Sequence, residues 1–202
     1  MVAAFDVDGT LTTGDCVAPF LRRAAGARLV TTLARRPLEL ARALGRGDRD
    51  RLKELVCSSL SGLEAAEVNR LGASFAREVF EGRMRPDTVA RLRRHRELGH
   101  AVVLASASLD PYLLPLGELL GVDAVLCTRL EHGPDGRLTG RLEGANCRAA
   151  EKARRVRAWL EDAGLSDAEL WAYGDSDGDT ELLALAHHPH RVGSTRLAPE
   201  PG

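Results

Sequence analysis

The run Phe5-Asp6-Val7-Asp8-Gly9-Thr10-Leu11-Thr12, preceded by apolar residues 1–4, constrains this chain more than any other segment. An apolar stretch ending in two carboxylates two positions apart reads as a buried strand whose last acidic side chains point the same way. Gly9 then breaks the strand. Two acids aimed at one point, with a tight turn of free backbone N–H groups beside them, suit a divalent cation held next to a phosphate. A plain turn needs only one Asp.

The next clear strand covers 101–105. The residues before it are rich in Ala, Leu and Arg, with breaks near Gly26, Gly45-Arg46-Gly47 and Ser61-Gly62. Asp48 has the character of an N-cap, and Leu52, Leu55, Val56 and Leu60 recur at helical spacing. Residues 13–83 are therefore predicted to be a helical insert. A run of that length is too long for a loop and implies a separate small cap. From residue 84 onward helical and strand signals alternate. A helix starts at Pro86 and stops at Gly99, strand 101–105 follows, and Asp110-Pro111 opens a helix that stops at Gly121. A strand at 124–127, a hairpin over 128–142 turning at Pro134-Asp135-Gly136, and a helix over 148–163 come next. A strand at 169–173, a short helix over 180–186 and a weak strand near 191 complete the pattern. The expected fold is α/β, a Rossmann-like parallel sheet formed by 1–12 and 84–202, with the cap at 13–83. Ligands of such sheets sit at the carboxyl ends of the strands.

A chain of 202 residues can bury one good core with room for a smaller attached unit. Its 44% hydrophobic and 28% charged content and net charge of -1 exclude a disordered chain and a bulk polyanion binder, so nucleic acid is not an expected partner. No apolar run approaches the ~20 residues of a membrane span, and no membrane partner is expected. A cytoplasmic location is the expectation. The four cysteines, Cys16, Cys57, Cys127 and Cys147, lie far apart without zinc spacing and read as reduced structural thiols. Of the 28 basic residues only Lys53 and Lys152 are lysine. A retained lysine can do what arginine cannot, acting as a compact point charge where a planar guanidinium is too bulky. For Lys53 alone, chance is the better reading.

Four strand ends carry polar motifs. The first gives Asp6 and Asp8, with Gly9 and Thr10 in the turn. The second gives Ser106 in Leu104-Ala105-Ser106-Ala107-Ser108, a hydroxyl with N–H groups after it that could bind a phosphoryl oxygen. The third is Lys152, at the end of Asn146-Cys147-Arg148-Ala149-Ala150-Glu151-Lys152. The fourth is Gly174-Asp175-Ser176-Asp177-Gly178-Asp179, which taken alone is as well explained by a turn, and which lacks the downstream glutamate of a calcium loop. Joined with Asp6 and Asp8 in one α/β frame, it reads as metal-binding.

In this order the four motifs resemble the haloacid dehalogenase-like superfamily, which is mostly phosphohydrolases. The insert resembles that superfamily's first cap class. Ser-Ala-Ser, the Asp-Gly hairpin and the Asn-Cys before the lysine are similar to its phosphoserine-phosphatase-like branch, subfamily IB. Two positions depart from the branch: Gly178, where relatives often carry a polar residue, and Val192-Gly193-Ser194-Thr195, where Asn-Pro-Asp is common.

The resemblance implies that Asp6 attacks phosphorus and that Asp8 protonates the leaving alcohol and later activates water. It implies magnesium as cofactor, with Asp6, Asp8 through its backbone carbonyl, Asp175 and Asp179 in the metal site. Phosphate-binding would fall to Ser106, Lys152, Gly9 and Thr10. Asp15 stands where phosphoserine phosphatases place an acid for the substrate ammonium, and equally reads as the N-cap of the first cap helix. Arg49, Arg51 and Lys53 are candidate cap cations for a substrate carboxylate, each of which also reads as a solvated helix charge. The expected partner is a small phosphomonoester: phosphoserine, another amino-alcohol phosphate such as histidinol phosphate, or a specialised biosynthetic intermediate. A phosphotransferase using the same aspartyl-phosphate and a catalytically silent phosphate-binding module are the alternatives. The basic run 91–96 reads as a solvated helix face, Trp159, Trp171 and Tyr173 as core or core edge, and His187, His188 and His190 as residues at a helix end.

Overall fold

A computed structural model describes residues 1–193 and 197. Its sheet has strand order β4-β3-β2-β1-β5-β6. The strands are β1 (Val2–Phe5), β2 (Ala101–Leu109), β3 (Ala124–His132), β4 (Leu138–Glu143), β5 (Leu170–Gly174) and β6 (His188–Arg191). β1 lies centrally, parallel to β2 on one side and to β5 on the other. β4 alone among the described strands runs antiparallel, joined to β3 by the expected hairpin. The period of two is visible in β1: Ala3 and Phe5 enter one apolar cluster and Val2 and Ala4 the other, so both faces of the sheet are buried.

Helices α1 (Val17–Ala25), α2 (Ala27–Arg35), α3 (Pro37–Arg46), α4 (Arg49–Cys57) and α5 (Ala65–Gly82) make up the insert; α6 (Pro86–Glu97), α7 (Asp110–Leu120), α8 (Ala150–Asp162) and α9 (Thr180–Leu185) flank the sheet. Several stops are those the sequence implies. Asp48 caps α4 by accepting the Arg51 N–H at 2.9 Å, and Gly121 closes α7 with φ 65°. The chain enters and leaves the insert side by side, through a bridge between Thr12 and Met84.

The insert is not a detached body. Phe20, Cys57, Leu60, Val68, Phe75 and Val79 belong to the same apolar cluster as Phe5 and Leu104 of the sheet. α5 lies against α7 so closely that a Cβ on Gly72 would overlap the Pro111 carbonyl. At that crossing Tyr112 meets Phe20 at 4.9 Å and Phe75 at 5.4 Å between ring centroids. The outer helices differ. α2 buries no residue, and α3 buries Ala43.

Three expectations need correction. β2 does not stop at 105 but runs to Leu109, past the Ser106 motif, and β3 continues from its parallel stretch into the hairpin as far as His132. His188 and His190 do not sit at a helix end. They lie on β6, stacked on Trp171 at 4.1 and 5.4 Å, and Pro189 is tolerated there because β6 borders the sheet. Within 91–96, Arg91 is buried, with its guanidinium 6.0 Å from the Tyr173 ring, and is not part of a solvated face. The four cysteines are free and buried, as expected. Of the 192–195 departure, Ser194 and Thr195 lie outside the described residues, while the Val192 N–H donates to the Gly174 carbonyl at 2.8 Å.

Candidate active site

The carboxyl ends of β1, β2 and β5 and the first turn of α8 converge on Asp6. Lys152 rises from α8 with 3% of its side chain exposed and donates to Asp6 Oδ1 at 2.7 Å. It also donates to Asp179 Oδ1. Burial by itself would favour a neutral amine here, but the two carboxylates outweigh it and hold Lys152 well above the usual lysine range. For Asp179 burial pushes upward, and the Lys152 ammonium prevails and holds it below the ordinary carboxylate range. Burial also raises Asp6, against the pull of the same ammonium.

Oxygens of Asp6, Asp175 and Asp179 lie within 4.8 Å of one another. Three carboxylates face one ammonium, which leaves an excess of two negative charges, the charge of one divalent cation; the all-oxygen donor set matches a hard ion. The turn after β1 needs glycine to leave room for Asp175, which follows β5. Gly9 has φ 84°, and a Cβ there would overlap the Asp175 carboxylate. Thr10 Oγ1 donates to Asp175 Oδ1 at 3.0 Å. Asp179 is locked from behind: its Oδ2 accepts the Ser176 N–H at 3.0 Å and the Ser176 hydroxyl at 2.9 Å. The space beside Gly178 is taken by the Arg148 side chain.

Asp8 is not part of this carboxylate cluster. Its Oδ1 accepts the Cys16 N–H at 2.9 Å and its Oδ2 the Ser108 hydroxyl at 2.7 Å. Burial, partly offset by the Ser108 hydrogen bond, raises Asp8 above the ordinary carboxylate range. Ser106 is buried, and its Oγ accepts the Ser108 N–H at 3.2 Å. Ser108 and Tyr112 were not among the sequence candidates. The available signal was spacing, since Ser108 shares a strand face with Ser106 and Tyr112 follows it by four positions into α7.

The cap candidates separate. Lys53 is no solvated charge: its Nζ donates to the Ala107 carbonyl at 2.9 Å, the residue after Ser106, and burial lowers its pKa. Next to it Asp50 accepts from Asn146 Nδ2 at 2.7 Å, a second strut between insert and core. Asp15 is exposed, and its carboxylate accepts the Val17 and Ala18 N–H groups at 3.1 and 3.0 Å, so it caps α1. Arg49 is exposed at the start of α4. Arg51 pairs with Glu39 and Glu54, both at 2.8 Å.

Protein CicA of Caulobacter vibrioides is 38% identical over 187 residues, covering 92% of this chain and 83% of its own length. A phosphoserine phosphatase of Streptomyces coelicolor is 31% identical over 187 residues, and this chain spans 42% of its length. A crystal structure of a Bordetella pertussis Tohama I protein superposes with a TM-score of 0.73 at 28% identity, covering 91% of this chain and 85% of the other. The family model of the haloacid dehalogenase-like hydrolases matches residues 3–184, and the chain belongs to that family.

Proposed function

We propose that this phosphatase is a magnesium-dependent phosphomonoesterase that works through an aspartyl-phosphate on Asp6 and acts on a small phosphorylated metabolite. The observation that carries the reading is the buried ammonium of Lys152 set 2.7 Å from Asp6, beside two further carboxylates. Burial raises Asp6 to about 7 against the pull of the Lys152 ammonium toward the ionised form. Ionised, it needs no base to attack, but it is repelled by a phosphate dianion unless positive charge stands between them. Asp6, Asp175, Asp179 and the Asp8 carbonyl would hold magnesium, which when bound supplies that charge and draws electron density from the phosphoryl oxygens.

In the first step an Asp6 oxygen bonds to phosphorus as the ester P–O bond breaks, and Asp8 gives its proton to the departing alcohol oxygen. In the second, Asp8 takes a proton from water as the water oxygen bonds to phosphorus and the Asp6–phosphorus bond breaks. One water is consumed; alcohol and phosphate leave. Lys152, Ser106 and the Gly9 N–H bind the phosphoryl oxygens through both steps, while the Thr10 N–H is held by the Val7 carbonyl at 3.2 Å. Lys53, at the roof of the site, is the cap cation best placed for an anionic group on the substrate.

The named activity of the Streptomyces coelicolor relative supports phosphoserine, or a similar amino-alcohol phosphate, as the first substrate to test. The test is phosphate release from a panel of phosphomonoesters, with magnesium or EDTA, and with Asp6→Asn as control. Release that needs magnesium and is lost in Asp6→Asn is expected. Activity that survives the substitution overturns the role of Asp6.

A further inference from the structure

We propose that Ser108 and Tyr112 are positioning residues for Asp8 and tie its orientation to the packing of the helical insert. The proposal rests on the reading of Asp8 as the proton donor. Tyr112 donates its hydroxyl to Ser108 Oγ at 2.8 Å, and Ser108 donates its own to Asp8 Oδ2 at 2.7 Å. A hydroxyl has one proton to give, so the chain has a fixed direction, from Tyr112 through Ser108 to the carboxylate. Both hydroxyl residues are fully buried. With the Cys16 N–H on Oδ1, each oxygen of Asp8 is tied to a separate donor, and the carboxyl cannot rotate without breaking a hydrogen bond.

Both ties lead into the insert. Cys16 immediately precedes α1, and the Tyr112 ring is wedged between Phe20 of α1 and Phe75 of α5. A displacement of α1 and α5 relative to the sheet therefore moves the two donors that aim Asp8. Proton delivery is sensitive to such shifts, since a misplacement of about 1 Å in a reacting group can cost a hundredfold in rate.

General-acid catalysis offers a test that a purely structural role cannot mimic. An alkyl leaving group needs a proton in the transition state, whereas a p-nitrophenolate or an acetate departs without one. The measurement is kcat/KM, which covers the steps through alcohol release, for the best alkyl ester of the panel and for p-nitrophenyl and acetyl phosphate. It is made on the full chain, on Ser108→Ala, Ser108→Thr and Tyr112→Phe, with melting temperatures alongside. Ser108→Ala and Tyr112→Phe should lose roughly tenfold more on the alkyl ester than on the activated ones, and Ser108→Thr, which keeps the hydroxyl, should recover most of that difference. Equal losses on all esters, or no loss, overturn the proposal while leaving the phosphatase reading intact. A wild-type protein that hydrolyses none of them removes that reading and the proposal with it.

Discussion

Beneath the phosphate position, Lys152 is clamped by Asp6 and Asp179, and Asp179 in turn by Ser176, all within the sheet framework. Above it, the insert touches the catalytic loops through single struts, Lys53 to the Ala107 carbonyl and Asp50 to Asn146. The floor is a closed, charge-paired network in low dielectric, fixed before any ligand arrives. The roof shares the apolar core of the sheet through Phe20 and Phe75, and only directly over the site is it held by these two hydrogen bonds, which a ligand can replace. In the proposed mechanism, phosphoryl chemistry falls to the rigid part and discrimination between substrates to the replaceable part.

That division can be broken most sharply at Lys152. Lys152→Arg should cost about a hundredfold or more in kcat/KM, because a planar fork cannot occupy a buried site shaped for one ammonium between two carboxylates. A melting temperature close to wild type would show that the loss is chemical. The corresponding change in the roof is Lys53→Met, which keeps the stem and removes the charge. Its expected effect is smaller, about tenfold, and falls mainly on KM for esters with an anionic leaving group. A loss in kcat as large as that of Lys152→Arg would erase the distinction between roof and floor. Asp15 gives the smallest change. Asp15→Ala should lower stability by about 1 kcal/mol through loss of the α1 cap, and Asp15→Asn, which can still cap, should restore it. A KM raised in both variants would instead place this carboxylate on the substrate.

The acids of the floor were legible in the sequence because each lies in a short motif at a strand end, where strand periodicity and the following turn fix the direction of the side chain; Lys152, on the first turn of α8, stood out through the scarcity of lysine. The α/β order joined Asp6 with Asp175 and Asp179, and the resemblance of the motif order to the haloacid dehalogenase-like superfamily added Lys152. The roof was not legible. Lys53 meets Ala107 across 54 positions of chain, and which face of α4 turns inward depends on how the insert packs on α7. Amphipathic spacing shows that a helix has an inner face, not what it will touch. Ser108 was missed because β2 outruns the apolar run that announces it, so it stood in what looked like a loop, and Tyr112 because its place in the expected helix from Asp110 does not show what its hydroxyl will touch. His188 and His190 were misplaced because a four-residue strand containing Pro189 is too short for alternation to be read.

The scarcity of lysine has a practical consequence. Neither Lys53 nor Lys152 is exposed, while arginine covers the surface. Apart from the exposed amino terminus, amine-directed acylating reagents therefore meet only a half-buried Lys53, on the Ala107 carbonyl, and a buried Lys152, on Asp6. Labelling of Lys53 becomes a clock for the parting of insert and core, and its suppression by a bound ligand a direct report of occupancy, with no engineered probe required.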